Sequence, residues 1–103
     1  MKDQTDAPQE LTTYRETLDR LDASLIYLLA ERFSVTEAIG HLKAERDLPA
    51  LDAQREDQQL SRLQEIAESA GLPSEYAQGV FRTITTMVRE RHEEIRRNTG
   101  NQS

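Results

Sequence analysis

The chain contains no cysteine, so disulfides, thiolate metal sites and a cysteine nucleophile are excluded, and a reducing compartment is compatible with it. Aromatic residues make up 5% and hydrophobic residues 36% of its 103 positions, so the core that one copy can build alone is thin. No apolar run is long enough to span a bilayer. The first ten residues are polar and acidic and lack the apolar stretch of a secretory signal, so a cytoplasmic location is expected. Basic charge is scarce too. Thirteen Lys and Arg against 19 Asp and Glu leave a net charge of −6, which disfavours nonspecific nucleic-acid binding. One region departs from that balance: from Phe81 onward five arginines (Arg82, Arg89, Arg91, Arg96, Arg97) stand against three glutamates. A solvated helix face accounts for them, and a surface for an acidic partner or anionic ligand is the alternative.

What the sequence does have is helical periodicity, in three segments, with nothing that reads as a strand. The expected fold is all-α: a helical domain over residues 11–97, a disordered polar lead-in over 1–10 and a polar tail over 98–103. The first helix spans about Leu11 to Arg46. Leu11, Tyr14, Leu18, Leu21, Leu25, Leu28, Arg32, Val35, Ile39 and Leu42 follow one another at alternating spacings of three and four. That is a heptad seam without a proline to interrupt it, and Thr12 or Thr13 is placed to cap its start. Such a helix is roughly 54 Å long, more than the rest of the chain can cover, which predicts a dimer or higher oligomer. Pro49 is expected to end it. Asp52 then stands at the N-cap of a second helix reaching about Ala70, with Leu60, Leu63, Ile66 and Ala67 as its apolar stripe. Gly71 suits the C′ position and Pro73 follows it. Ser74 is the expected cap of a third helix whose buried face would use Tyr76, Ala77, Val80, Phe81, Ile84, Met87 and Val88.

Charges fall where the pattern calls for apolar residues. Arg32 takes a seam position, and a guanidinium there needs an anionic partner: Glu31 or Glu56 within the protein, or a ligand. Lys43 follows 11 residues later, on nearly the same face and roughly 16 Å along the axis, so the two cations could converge on a small anion. A solvated lysine at a helix end is the plainer reading. Arg15 lies about 25 Å before Arg32 and is rotated away from it. It either stays at the surface, near Asp19, or reaches a site on a second, antiparallel chain. Asp52, Arg55 and Glu56 share one face of the second helix, as a cap with a local ion pair or as part of a site.

Four blocks resemble the all-helical class of chorismate mutases. Tyr14-Arg15-Glu16-Thr17-Leu18-Asp19-Arg20-Leu21-Asp22 is similar to the family's opening R-x-x-(I/L)-x-x-(I/L)-D. Leu28-Leu29-Ala30-Glu31-Arg32 resembles L-L-x-x-R, Ile39-Gly40-His41-Leu42-Lys43 resembles (I/V)-G-x-x-K, and Asp52-Ala53-Gln54-Arg55-Glu56 resembles D-x-x-R-E. The blocks stand in the family's order and spacing, and the likeness covers roughly residues 11–92. It implies three helices per chain, intertwined as a homodimer with two sites, each completed by one arginine from the other chain. It further implies that Arg15 of the second chain and Arg32 bind the two carboxylates of chorismate, guanidinium forks suiting carboxylates. Lys43 would face the ether oxygen of the breaking bond. Glu56, with Asp52, would accept from the ring hydroxyl, and Arg55 would support the array at the site edge. The rearrangement to prephenate needs no cofactor, metal or nucleophile. The helix glycine Gly40 is expected where a backbone or the ligand approaches closely.

The sequence departs from the family on the third helix. A serine and a glutamine four residues apart, common in the family, correspond to Val88 and His92. Valine cannot hydrogen-bond. His92 could donate to the ether oxygen, a one-turn shift would bring Arg89 or Arg91 there instead, and an exposed histidine at the helix end is the plain reading. Some short stand-alone members are activated by DAHP synthase, and the missing polar pair and basic C-terminal end suit that subclass. Two alternatives share the same pattern. One is an isochorismate pyruvate lyase of the same fold, and the other is a noncatalytic helical dimerisation module. The latter explains the heptads but not the family spacing of Arg32, Lys43, Asp52 and Glu56.

Overall fold

The computed structural model describes residues 8–101. It contains helices α1 (Gln9–Glu45), α2 (Ala53–Ala70) and α3 (Ser74–Asn101) and, among the described residues, no strand. The fold is all-α, as the periodicity predicts. Most of the polar lead-in lies outside the described residues, as do the last two residues of the tail. Where described, both expected ends are helical: Gln9 and Glu10 open α1, and 98–101 close α3.

The ends of the helices have local causes. Thr12 and Thr13 do not cap α1. Their hydroxyls lie inside it and bond back to the carbonyls of Pro8 and Gln9, at 3.5 and 3.1 Å, as threonine does within a helix. Pro8 supplies the first acceptor, and its fixed φ suits a helix start. The C-terminus of α1 forms before Pro49 is reached. Asp47 takes the left-handed conformation at φ 54°, Leu48 N–H donates to the Lys43 carbonyl at 2.8 Å, and Asp47 N–H points to Ala44. This is a Schellman closure in which aspartate replaces the usual glycine, since its short polar side chain tolerates that region. The end of α2 repeats the motif with Gly71 at φ 75° and Leu72 N–H on the Ala67 carbonyl. Asp52 caps α2 as expected, its carboxylate accepting from Arg55 N–H at 3.1 Å. Ser74 is instead the first residue of α3, and the first backbone bonds of that helix go to the Pro73 carbonyl.

The chain divides into two units at Ser34 and Val35. The first is α1 up to Ser34. Its seam is bare in the single chain: Tyr14 is 70% exposed, Leu21 59% and Leu28 65%. The second unit takes α1 from Val35, together with α2 and α3. Its core is Ala67, Ala77, Ile84, Ile95 and His92. Of the expected buried face of α3, Ala77 and Ile84 are buried and Phe81 and Val88 half-buried, whereas Tyr76, Val80 and Met87 are exposed. The α2 stripe is uneven in the same way. Ala67 is buried and Leu63 half-buried, with Leu60 and Ile66 exposed.

Candidate active site

Each candidate side chain is placed by its helix. In the first unit, Arg15 is exposed and Arg32 half-buried, both on α1. In the second unit, Lys43 occupies the last turn of α1. It is half-buried, and its Nζ donates to the Ala50 carbonyl at 3.3 Å, so the ammonium is held against the loop entering α2. Asp52 starts α2, and its cap fixes the first turn from which Arg55 and Glu56 project.

Glu56 is half-buried and bonded across to α3, where Arg89 Nη2 donates to its Oε1 at 2.7 Å. Around this pair lies a cleft of about 260 Å³ between α2 and α3. Leu60, Leu63 and Phe81 give it an apolar floor, and Glu56, Arg89 and Arg82 are among its charged walls. The Thr85 hydroxyl also lines it but is turned to the Phe81 carbonyl at 2.7 Å. An apolar floor with a few charged groups at its rim suits a small ring bearing polar substituents.

His92 is not an exposed residue at the helix end. It is buried, and its Nε2 lies 2.7 Å from the Thr36 carbonyl. A carbonyl can only accept, so Nε2 carries the proton and donates. The ring packs on Gly40, where a Cβ would come within 2.7 Å of His92 Cδ2 and 2.9 Å of Ile95 Cδ1. The close approach that requires glycine at position 40 therefore comes from two α3 side chains, rather than from a backbone. Val88 is half-buried one turn earlier.

Much of the basic end of α3 is engaged within the chain. Arg91 forks onto Glu37, Nε to Oε1 at 2.9 Å and Nη2 to Oε2 at 2.6 Å, and also meets Glu94. The Arg91 hydrogen bond, followed by its charge, outweighs partial desolvation and holds the Glu37 carboxyl down at about 2. The same bond to Glu37 raises Arg91. Arg96 reaches Asp47 Oδ1 at 2.9 Å and the Leu48 carbonyl, bracing the left-handed turn that ends α1. The contacts to Glu37, Asp47 and Leu48 join residues 48 to 54 positions apart, which helical spacing does not reveal. Among the described residues, no group of three or more His, Cys, Asp or Glu side chains is placed to hold a metal ion. No helix among them is long and apolar enough to cross a membrane.

An all-helical chain with this cleft and these four motif blocks falls into a defined class. The profile of the family described as chorismate mutase type II matches residues 14–93, well over half the chain, and the chain belongs to that family. Every candidate residue from Arg15 to His92 lies inside the matched span. Three relatives are similar over part of their length. The T-protein of Enterobacter agglomerans is 32% identical over 75 residues, 73% of this chain and 20% of that protein. A bifunctional chorismate mutase/prephenate dehydratase of Buchnera aphidicola is 32% identical over 74 residues, 72% of this chain and 20% of its own. A 3-dehydroquinate dehydratase of Pyrobaculum aerophilum is 44% identical over 52 residues, 50% of this chain and 17% of its own. The chain thus spans about a fifth of the length of the curated relatives it matches.

Proposed function

We propose that the chain is a chorismate mutase, converting chorismate to prephenate as a homodimer whose sites are shared between two chains. The observation that carries this reading is the family match over residues 14–93, a span that includes all four blocks and, within them, Arg15, Arg32, Lys43, Asp52 and Glu56. In the reaction one carbon–oxygen bond of the ether breaks and one carbon–carbon bond forms, with no proton transfer. The protein's task is to hold the substrate in a reactive shape and to stabilise charge developing on the ether oxygen. An acceleration of about a millionfold corresponds to roughly 8 kcal/mol of preferential transition-state binding.

Arg32 and Arg15 of the second chain take the two carboxylates, Lys43 faces the ether oxygen, and Glu56, with Asp52, accepts from the ring hydroxyl. Arg55 steadies the opening of α2. Support for the dimer comes from the first unit, where a heptad seam of leucines stands exposed. Apolar patches of this kind on soluble chains mark association surfaces. His92 donates to Thr36 and Val88 has no polar group, so the α3 positions at which many members carry serine and glutamine offer little to the ether oxygen. That deficit supports modest activity alone that rises in a complex with DAHP synthase; a cytoplasmic location is part of the same proposal.

Loss of chorismate absorbance, followed with the purified chain with and without DAHP synthase, tests both parts. Wild-type turnover that falls at least about a hundredfold in Arg32→Ala is expected, the scale for removing one charged group aimed at the reacting substrate. Turnover unaffected by DAHP synthase would remove the partner. A folded helical dimer that leaves chorismate untouched but cleaves isochorismate would replace the mutase with the lyase.

A further inference from the structure

Three polar side chains cluster on one stretch of α3, and the structure separates them by what they hold. Arg91 is forked onto Glu37, and His92 is buried on the Thr36 carbonyl. Arg89 alone of these three turns to α2, where it meets Glu56 inside the cleft. We infer that Arg89 is the α3 residue that serves the active site, and that it serves as a positioning residue for the Glu56 carboxylate. This rests on the chorismate mutase reading, in which Glu56 accepts from the ring hydroxyl.

The geometry gives the reason. Glutamate reaches its carboxylate through three rotatable bonds, and Glu56 and Arg89 side chains are 33% and 42% exposed, so packing alone does not fix the carboxylate. The bond from Arg89 engages Oε1 at 2.7 Å and leaves Oε2 to accept from a ligand. It ties the carboxylate of α2 to a second helix across 33 residues of sequence, so the acceptor is set before substrate arrives. An ion pair this exposed adds little to stability. Its loss is therefore read in catalysis rather than in folding.

The test is a double-mutant cycle on the full chain, with Arg89→Met, Glu56→Gln, the pair combined, and Arg89→Lys. Helicity is checked for each by circular dichroism, and kcat and KM for chorismate are measured separately. Arg89→Met is expected to lower kcat/KM about ten- to hundredfold, the cost of a misplaced site group. Arg89→Lys, which keeps the charge but not the fork, should recover part of that loss. The combined variant should be no slower than Glu56→Gln alone, because Arg89 acts through Glu56. Losses that multiply would show that Arg89 acts independently of Glu56 and would overturn the inference, as would wild-type kcat/KM in Arg89→Met. A wild-type chain that does not turn over chorismate would overturn the underlying mutase reading, a different result from a cycle that fails on an active enzyme.

Discussion

Replacing Gly40 with alanine tests the packing of α1 on α3 at a single atom. In a helix facing open space, alanine is more stable than glycine by about 1 kcal/mol. At position 40 the new methyl would lie 2.7 Å from His92 Cδ2, 2.9 Å from Ile95 Cδ1 and 3.1 Å from His92 Nε2. Neither neighbour can retreat easily. The ring is tied to the Thr36 carbonyl at 2.7 Å, and Ile95 is 3% exposed. Overpacking of this kind costs about 1–3 kcal/mol, and a displaced ring would weaken a hydrogen bond worth about 0.5–1.5 kcal/mol net. With the propensity gain subtracted, Gly40→Ala should destabilise the chain by about 1–2 kcal/mol. Gly79→Ala is the control, since a Cβ there meets nothing within 4 Å; it should stabilise by about 0.5–1 kcal/mol. Urea denaturation followed by circular dichroism, at one fixed protein concentration so that association does not shift the midpoint, reads both. A Gly40→Ala midpoint equal to or above wild type, with m unchanged, would refute the close-packing argument.

Two further changes have determined directions. Asp52→Ala removes the α2 cap and should cost about 1 kcal/mol of stability, most of which Asp52→Ser should restore because it keeps a capping oxygen; because the Asp52 carboxylate is also proposed to assist Glu56, kcat/KM should still fall in Asp52→Ser, and wild-type kcat/KM there would assign Asp52 to the helix alone. Glu37 titrates near 2 in the folded chain against an ordinary value of 4.5, so its stabilising contribution is complete above about 4.5 and is lost as pH falls through about 2. Arg91→Gln should flatten the acid side of the stability profile over that window, and added salt should do the same in part because both side chains are partly exposed. An unchanged acid limb in Arg91→Gln would place the origin of the shift elsewhere.

The sequence was most legible where the physics is local. Period-3.6 apolar spacing yielded the three helices, Asp52 could be read as a cap, and Gly71 as a left-handed closure, because each depends on residues within one or two turns. It was less legible where two local solutions compete. Threonine can cap a helix or bond back within it, and Thr12 and Thr13 do the second. Proline is the stronger stop signal, so the sequence points to Pro49 as the end of α1, whereas Asp47 accepts a left-handed φ before Pro49 is reached. The contacts that shape the site were the least legible. Arg89 with Glu56, Arg91 with Glu37 and His92 with Thr36 join helices that only the folded chain brings together. For His92 one clue was present, a glycine inside a helix at position 40, which signals that something large comes close but not what. Ile95 entered the core unannounced because it stands among charged residues near the end of α3.

Subunit complementation tests the central claim most directly. Arg15→Ala and Lys43→Ala would each be inactive alone, because every site then lacks one cation. Unfolded together in equal amounts and refolded, half of the dimers would be mixed, and each mixed dimer would hold one intact site and one doubly altered site. A chorismate mutase with sites shared across a twofold dimer then recovers about a quarter of wild-type turnover. A mixture no more active than its separate components, from a wild type that does turn over chorismate, would contradict the shared site.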